Sequence, residues 1–184
     1  MSGFVLWFTG LSAAGKTTVG SLVARELEER GYTVEVLDGD VIRTHLSQGL
    51  GYSKEDRDTN VARIGWVASR VARAGAAVVV CAISPYEEAR RRARTLVEEN
   101  APFVEIHVAT ALDVCAERDP KGLYAKALSG EIEHFTGVSD PYEEPVNPEL
   151  RLDTAGREPA ESAASVLARL EQLEIVAVRE KAVS

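Results

Sequence analysis

Six residues from Phe4 to Thr9 run without a charge, all apolar or β-favouring, as expected of a strand covered on both faces. The run stops at Gly10. From Thr17 to Arg30 the apolar positions Val19, Leu22, Val23 and Leu27 recur at helical spacing, and Gly31 stands where a helix C-terminus is usually closed. The opening therefore reads strand, glycine loop, helix. Thr33 to Leu37, Ala76 to Ile83 and Phe103 to Ala109 repeat the short apolar pattern, with helical periodicity between them at Asp56 to Ala74 and Glu87 to Glu98. Such alternation predicts an α/β fold with right-handed crossovers and a mostly parallel sheet covered by helices on both faces. Ligands are then expected outside the carboxyl ends of the strands.

After a short helical stretch around Leu112 to Glu117 the pattern changes. Pro120, Pro141, Pro145 and Pro148 are four of the seven prolines, and Gly122, Gly130 and Gly137 lie among them. Long irregular excursions in compact domains are usually lids or disordered segments, and Tyr124, Phe135 and Tyr142 argue against disorder. A lid over about 118–148 is expected. Leu150 to Leu152 can add a last strand. Glu158 to Leu173 is helical, with Ala160, Ala164, Leu167 and Leu170 on one stripe, and residues beyond Ile175 read as a weakly committed tail. Without an internal repeat or linker, residues 1–184 are read as one domain.

Composition narrows the partners. With 21 Lys+Arg against 29 Asp+Glu the formal charge is -8, so no global basic field exists to hold a nucleic acid, and an anionic ligand must be caught locally. No apolar run approaches the roughly 18 residues of a membrane span, and Met1-Ser2-Gly3-Phe4 lacks a basic leader. Cys81 and Cys115 are too few for a disulfide framework or a zinc site and read as small buried hydrophobes. A soluble cytoplasmic protein with no membrane or nucleic-acid partner is expected.

Gly10-Leu11-Ser12-Ala13-Ala14-Gly15-Lys16-Thr17 has the G-x-x-x-x-G-K-[ST] spacing, followed by Thr18, between a predicted strand and helix. The loop lets successive backbone N–H groups converge on phosphate oxygens. Lys16 adds charge toward the β and γ phosphates, and Thr17 offers a hydroxyl to Mg²⁺. Nucleoside triphosphate binding follows, but the loop alone leaves open whether the γ-phosphate goes to water or to a second substrate. The third strand has no Asp or Glu, so the second-motif carboxylate of motor ATPases is missing there. Asp38-Gly39-Asp40 instead offers two acids about a tight turn at the end of the second strand, or else a solvated Asx turn. Just beyond, Arg43, Arg57, Asn60 and Arg63 form either a pocket for a second anion, since planar guanidinium forks match phosphate or sulfate, or surface pairs with Glu55, Asp56 and Asp58. Arg90, Arg91, Arg92 and Arg94 read as a solvated helix face.

These residues resemble the adenylylsulfate kinase family of P-loop kinases. The likeness runs from Phe4 to about Asp153 in six blocks: the phosphate loop; Asp38-Gly39-Asp40 with Arg43; Leu50-Gly51-Tyr52-Ser53 with Asp56-Arg57 and Asn60; Ile83-Ser84-Pro85-Tyr86; Arg118 through Tyr124; and Phe135-Thr136-Gly137 with Asp140-Pro141-Tyr142-Glu143. The resemblance implies ATP-dependent phosphorylation of the 3′-hydroxyl of adenosine 5′-phosphosulfate (APS) to 3′-phosphoadenosine 5′-phosphosulfate (PAPS). Gly10, Ser12, Ala13, Ala14, Gly15, Lys16, Thr17 and Thr18 would hold ATP, and Thr17 and Asp38 the Mg²⁺. Arg118 would cover the donor adenine and Thr154 would lie near its floor. Asp38 would orient or deprotonate the acceptor hydroxyl, with Lys16 and Lys121 as the other catalytic groups. Asp40, Arg43, Arg57, Asn60, Ile83, Ser84, Lys121 and Leu123 would grip APS, and Tyr52 and Phe135 would sandwich its adenine unless they are core residues. A homodimer is implied too.

The chain departs from the family pattern at Ala13, where glycine is common and alanine is expected to stiffen the loop, and at Tyr52, where phenylalanine is usual. Two other readings stay open. A kinase of another small alcohol would share the loop and aspartates without needing both aromatics, and a regulatory subunit would be marked by loss of Lys16, Asp38 or Lys121, all of which are present. With its end close behind the last predicted helix, the chain is expected to carry no sulfurylase domain.

Overall fold

A computed structural model of the chain describes residues 2–178. In order, the elements are β1 (Phe4–Thr9), α1 (Lys16–Glu29), β2 (Val34–Asp38), α2 (Gly39–His45), α3 (Lys54–Arg73), β3 (Ala77–Cys81), α4 (Glu87–Glu98), β4 (Phe103–Val108), α5 (Leu112–Arg118), α6 (Leu123–Leu128), β5 (Leu150–Leu152) and α7 (Pro159–Gln172). The five strands lie in the order β2-β3-β1-β4-β5, every pair parallel. β1 thus sits between β3 and β4, and its carboxyl end opens mid-sheet.

The uncharged run of β1 has a structural cause: both faces of the strand are buried. Phe4, Leu6 and Phe8 point into a core shared with Val19, Val23 and Leu27 of α1 and Leu167 and Leu170 of α7. Val5 and Trp7 point into a second core with Val61, Ile64 and Ala68 of α3 and Ala93 and Val97 of α4. Each such side chain contributes about 1.5–3 kcal/mol by leaving water. α1 lies close against β3 at Gly20, where an added Cβ would meet Cys81 Sγ at 2.5 Å. Both cysteines are free and buried, as expected.

Four sequence expectations are corrected. Of the two alternatives for Asp38-Gly39-Asp40 the Asx turn holds and the tight turn does not: Asp38 is the N-cap of α2, its Oδ1 accepting the Asp40 N–H at 2.9 Å. The proline-rich segment contains α6, and its Tyr124 is fully buried with its hydroxyl donating to Ser12 O at 3.0 Å. Arg90 and Arg94 are not solvated; they turn inward onto Glu105 and Glu149, whereas Arg91 and Arg92 do lie on an exposed face. The tail expected beyond Ile175 begins with Val176 buried against the first core, while 179–184 lie outside the described residues.

Candidate active site

The carboxyl ends of β1, β2 and β3, roofed by the segment after α5, enclose a cleft of about 860 Å³. Its donor end is the loop between β1 and α1. Gly10 and Gly15 take positive φ, 151° and 103°, and a Cβ on Gly10 would meet Val108 O at 2.4 Å. Ala13 also takes a left-handed φ of 58°, where alanine costs about 1 kcal/mol more than glycine would, so it strains the loop as well as stiffening it. Ser12, Ala13, Gly15, Lys16, Thr17 and Thr18 line the cleft. Gly10 and Ala14 lie beneath it, and Ala14 O accepts hydroxyl hydrogens from Thr110 at 3.0 Å and Thr154 at 2.8 Å.

Lys16 is the first residue of α1, and its Nζ donates to Gly10 O at 3.0 Å and Leu11 O at 2.6 Å. Burial lowers its pKa to about 8. Beside it the Cys81 thiol is pushed up to about 12 by the same burial, which leaves it inert as a nucleophile. Thr17 Oγ1 donates to Asp38 Oδ2 at 2.6 Å, so a hydroxyl and a carboxylate meet at the mouth of the phosphate loop. These are hard oxygen ligands of the kind Mg²⁺ takes together with substrate phosphates. Among the described residues no three His, Cys, Asp or Glu side chains converge, so a dedicated protein cage for a metal is not built.

Thr154 holds the loop from the side opposite Asp38. Arg118, at the end of α5, donates to Thr154 Oγ1 at 2.8 Å and to Thr154 O at 2.9 Å, which stretches the guanidinium across this wall. Arg157, Pro159 and Ser162 complete the wall, and the buried Ser162 Oγ has no hydrogen-bond partner. Sequence reading missed these three because Arg157 lies in the turn before α7 and Pro159 and Ser162 in its first turn, which reach the cleft only when the sheet brings β5 beside β4.

At the other end, Arg57 is 6% exposed; its Nε donates to Tyr52 O at 2.9 Å and its Nη2 to His134 O. Burial lowers its pKa from the ordinary arginine value. Arg43 lies 4.2 Å over the Tyr52 ring and donates to Gly51 O at 3.0 Å. Asn60 Oδ1 accepts the Ser47 hydroxyl. Tyr52 is 53% exposed, whereas Phe135 is half-buried and packs against the first core, edge-on to Tyr124 at 4.9 Å; both line the cleft. Lys121 pairs with Asp40 across the mouth, and this pairing raises the lysine pKa. Ile83, Ser84 and Leu123 also line the cleft. Ser84 is nearly buried, and its hydroxyl accepts from Trp7 Nε1 at 3.2 Å. Arg63 does not join: it is exposed and donates to Leu46 O at 3.1 Å. Sequence reading also missed the cleft residues Asp119, Pro120, Ile132, His134 and Thr136 as separate contributors; of these, only Asp119, Pro120 and Thr136 fell within a motif block.

The cleft thus has two unlike ends, a loop of phosphate-binding spacing at one and a buried arginine with exposed Tyr52 and half-buried Phe135 at the other. The adenylylsulphate kinase profile matches residues 2–153. An adenylyl-sulfate kinase of Chloroflexus aurantiacus is 54% identical over 175 residues, 95% of this chain and 92% of its own length. A probable bifunctional SAT/APS kinase of Sorangium cellulosum is 53% identical over 184 residues, which span 31% of that longer protein. The structure of a Mycobacterium tuberculosis APS kinase in complex with AMPPNP and APS superposes with a TM-score of 0.89 at 47% identity, covering 92% of this chain and 98% of that one. Motifs, cleft and relatives agree, and the chain belongs to the adenylylsulphate kinase family.

Proposed function

We propose that this chain transfers the γ-phosphoryl group of ATP to the 3′-hydroxyl of APS, giving PAPS and ADP. The observation that carries this reading is one cleft lined by the Thr17–Asp38 pair at a phosphate loop and, at its other end, by Arg57, Asn60, Tyr52 and Phe135. A hydrolytic ATPase has no need of the second half.

Donor phosphates would lie against the N–H groups of the loop from Gly10 to Thr18, with the α1 dipole and Lys16 facing their charge. Thr17 and Asp38 would hold Mg²⁺, which neutralises charge on the β and γ phosphates when bound. Arg118 would cover the donor adenine above Thr154. Arg43, Arg57 and Asn60 would grip the phosphosulfate group, with Asp40, Lys121, Ile83, Ser84 and Leu123 shaping the pocket and the two aromatic faces stacking the acceptor base. The acceptor 3′-oxygen attacks the γ-phosphorus, the bond to the β–γ bridging oxygen breaks, ADP leaves, and Asp38 receives the hydroxyl proton. A loose phosphoryl transition state needs alignment and charge more than a strong base, which suits a carboxylate in this place. Segment 118–148 would close over both nucleotides and exclude water.

The test is product analysis after incubating the full chain with ATP, Mg²⁺ and APS, in parallel with gluconate as a control alcohol. PAPS and ADP in equal amounts are expected. Turnover of gluconate but not of APS rejects the reading. No helix among the described residues is long and apolar enough to cross a membrane. The family resemblance extends the proposal to a cytoplasmic homodimer; light scattering on the purified chain tests the dimer, which a monomeric mass would rule out.

A further inference from the structure

Beneath the acceptor half of the cleft lies a guanidinium that does not line it. Arg90, in the first turn of α4, is 1% exposed. Its Nε donates to Glu105 Oε1 at 2.9 Å, its Nη1 to Ser84 O at 2.7 Å, and its Nη2 to Glu143 O at 2.7 Å and to the Glu87 carboxylate. Two of these acceptors are backbone carbonyls: Ser84 lines the cleft, and Glu143 lies on the limb that continues from the lining residues Phe135 and Thr136.

Ser84 belongs to the turn after β3 that lines the cleft, and its φ of 46° is a left-handed value that a non-glycine residue holds only when its surroundings impose it. Three successive carbonyls of this turn are tied down. Ile83 O accepts from Thr9 Oγ1 at 2.6 Å, Ser84 O from Arg90, and Pro85 O from the Glu143 N–H at 2.8 Å. Glu143 ends the limb that descends from Phe135 and Thr136. Its carboxylate accepts the Glu87 N–H at 2.7 Å, and the Tyr142 hydroxyl shares a hydrogen with Thr9 at 2.9 Å. Thr9 and Arg90 each bond to both the turn and the limb, and Arg90 does so through a backbone carbonyl of each, Ser84 O and Glu143 O.

Net stability does not account for a buried ion pair here. Desolvation of the two charges cancels most of their attraction, and well-packed apolar replacements are often neutral or better. What the planar fork supplies is fixed direction at several acceptors at once, which an ammonium cannot reproduce. We propose that Arg90 is a positioning residue for the acceptor half of the site: it clamps the Ser84 turn to the Glu143 limb and so sets the spacing between the walls that receive APS.

This rests on the reading of the cleft as an APS kinase site, and the experiment separates the two. Arg90→Lys and Glu143→Ala are made in the full chain, and KM for APS, KM for ATP, kcat and ADP affinity are measured beside the wild type. Arg90→Lys is expected to raise KM for APS about tenfold, and Glu143→Ala about threefold, with KM for ATP and ADP affinity within about twofold of wild type. A merely structural role would weaken both substrates together. Equal changes in the two KM values, or no change in either, overturn the positioning role. Should Arg90→Lys fail to fold, Glu105→Gln, which removes the charge that orients the Arg90 fork from below, decides by the same criterion. A wild type that does not turn over APS fails the functional reading, and with it this inference; a wild type that does, with unsplit KM values in the variants, fails the inference alone.

Discussion

Lys16 serves two opposing demands. Its ammonium is needed where phosphate charge collects, yet burial under the loop carbonyls draws its pKa from 10.5 down to about 8, a cost of roughly 3 kcal/mol to the folded state at neutral pH. The unfolded chain holds this proton more tightly. The penalty is therefore full below pH 8 and is relieved as pH rises from about 8 to 10.5, where stability from this group increases. Phosphate affinity runs the other way and weakens above pH 8 as the amine loses its charge. Lys16→Met, which keeps the apolar stem, is expected to gain up to about 3 kcal/mol in denaturant unfolding at pH 7, to lose the rise between pH 8 and 10.5, and to abolish transfer. A variant no more stable than wild type would show that the carbonyl contacts of Nζ already offset its burial.

The junction of β2 and α2 shows the same economy between elements. One Asp38 oxygen caps α2 through the Asp40 N–H, while the other accepts from Thr17 on α1. Asp38→Asn keeps an oxygen for the cap and removes the charge. It is expected to leave stability within about 0.5 kcal/mol while kcat falls by roughly 10²–10³ and KM for ATP barely moves. Asp38→Ala loses the cap as well, which adds about 1 kcal/mol of destabilisation by denaturant titration. A larger change in KM for ATP than in kcat would move Asp38 to a ground-state binding role. Neither α2 nor the burial of Arg90 was legible in the pattern of residues. α2 has seven residues and buries only Ile42, too few for a periodic stripe. Arg90 stands in a run of arginines that reads as solvated, and its burial depends on Glu105 of β4 and on the Ser84 and Glu143 carbonyls, partners that no helical spacing announces.

At the scale of the molecule, a rigid sheet presents three loop ends while a looser segment wraps them. The segment is anchored at Tyr124 on one side and at Tyr142 and Glu143 on the other, with exposed polar residues between. Amides at 129–140 are expected to exchange several-fold more slowly when ADP and APS are bound together than with either alone, as read by hydrogen-exchange mass spectrometry. Protection by ADP alone equal to that by both ligands would remove the acceptor from the closing step.

The alternation of strands with the long helices, the loop of phosphate-binding spacing and many of the residues that line the cleft could be read from the chain itself. Their signals are local: an uncharged run for a strand buried on both faces, a 3.6-residue stripe for each long helix, and fixed spacing of Gly, Lys and Thr where a backbone must curl around phosphate. Tertiary structure alone decided which side chains meet. That Thr17 faces Asp38, that Lys121 reaches Asp40, that Thr154 underpins the loop and that Arg90 turns inward while Arg63 turns outward are outcomes of sheet order and helix packing. These join residues from 15 to 140 positions apart and on different elements, where neither periodicity nor spacing carries information.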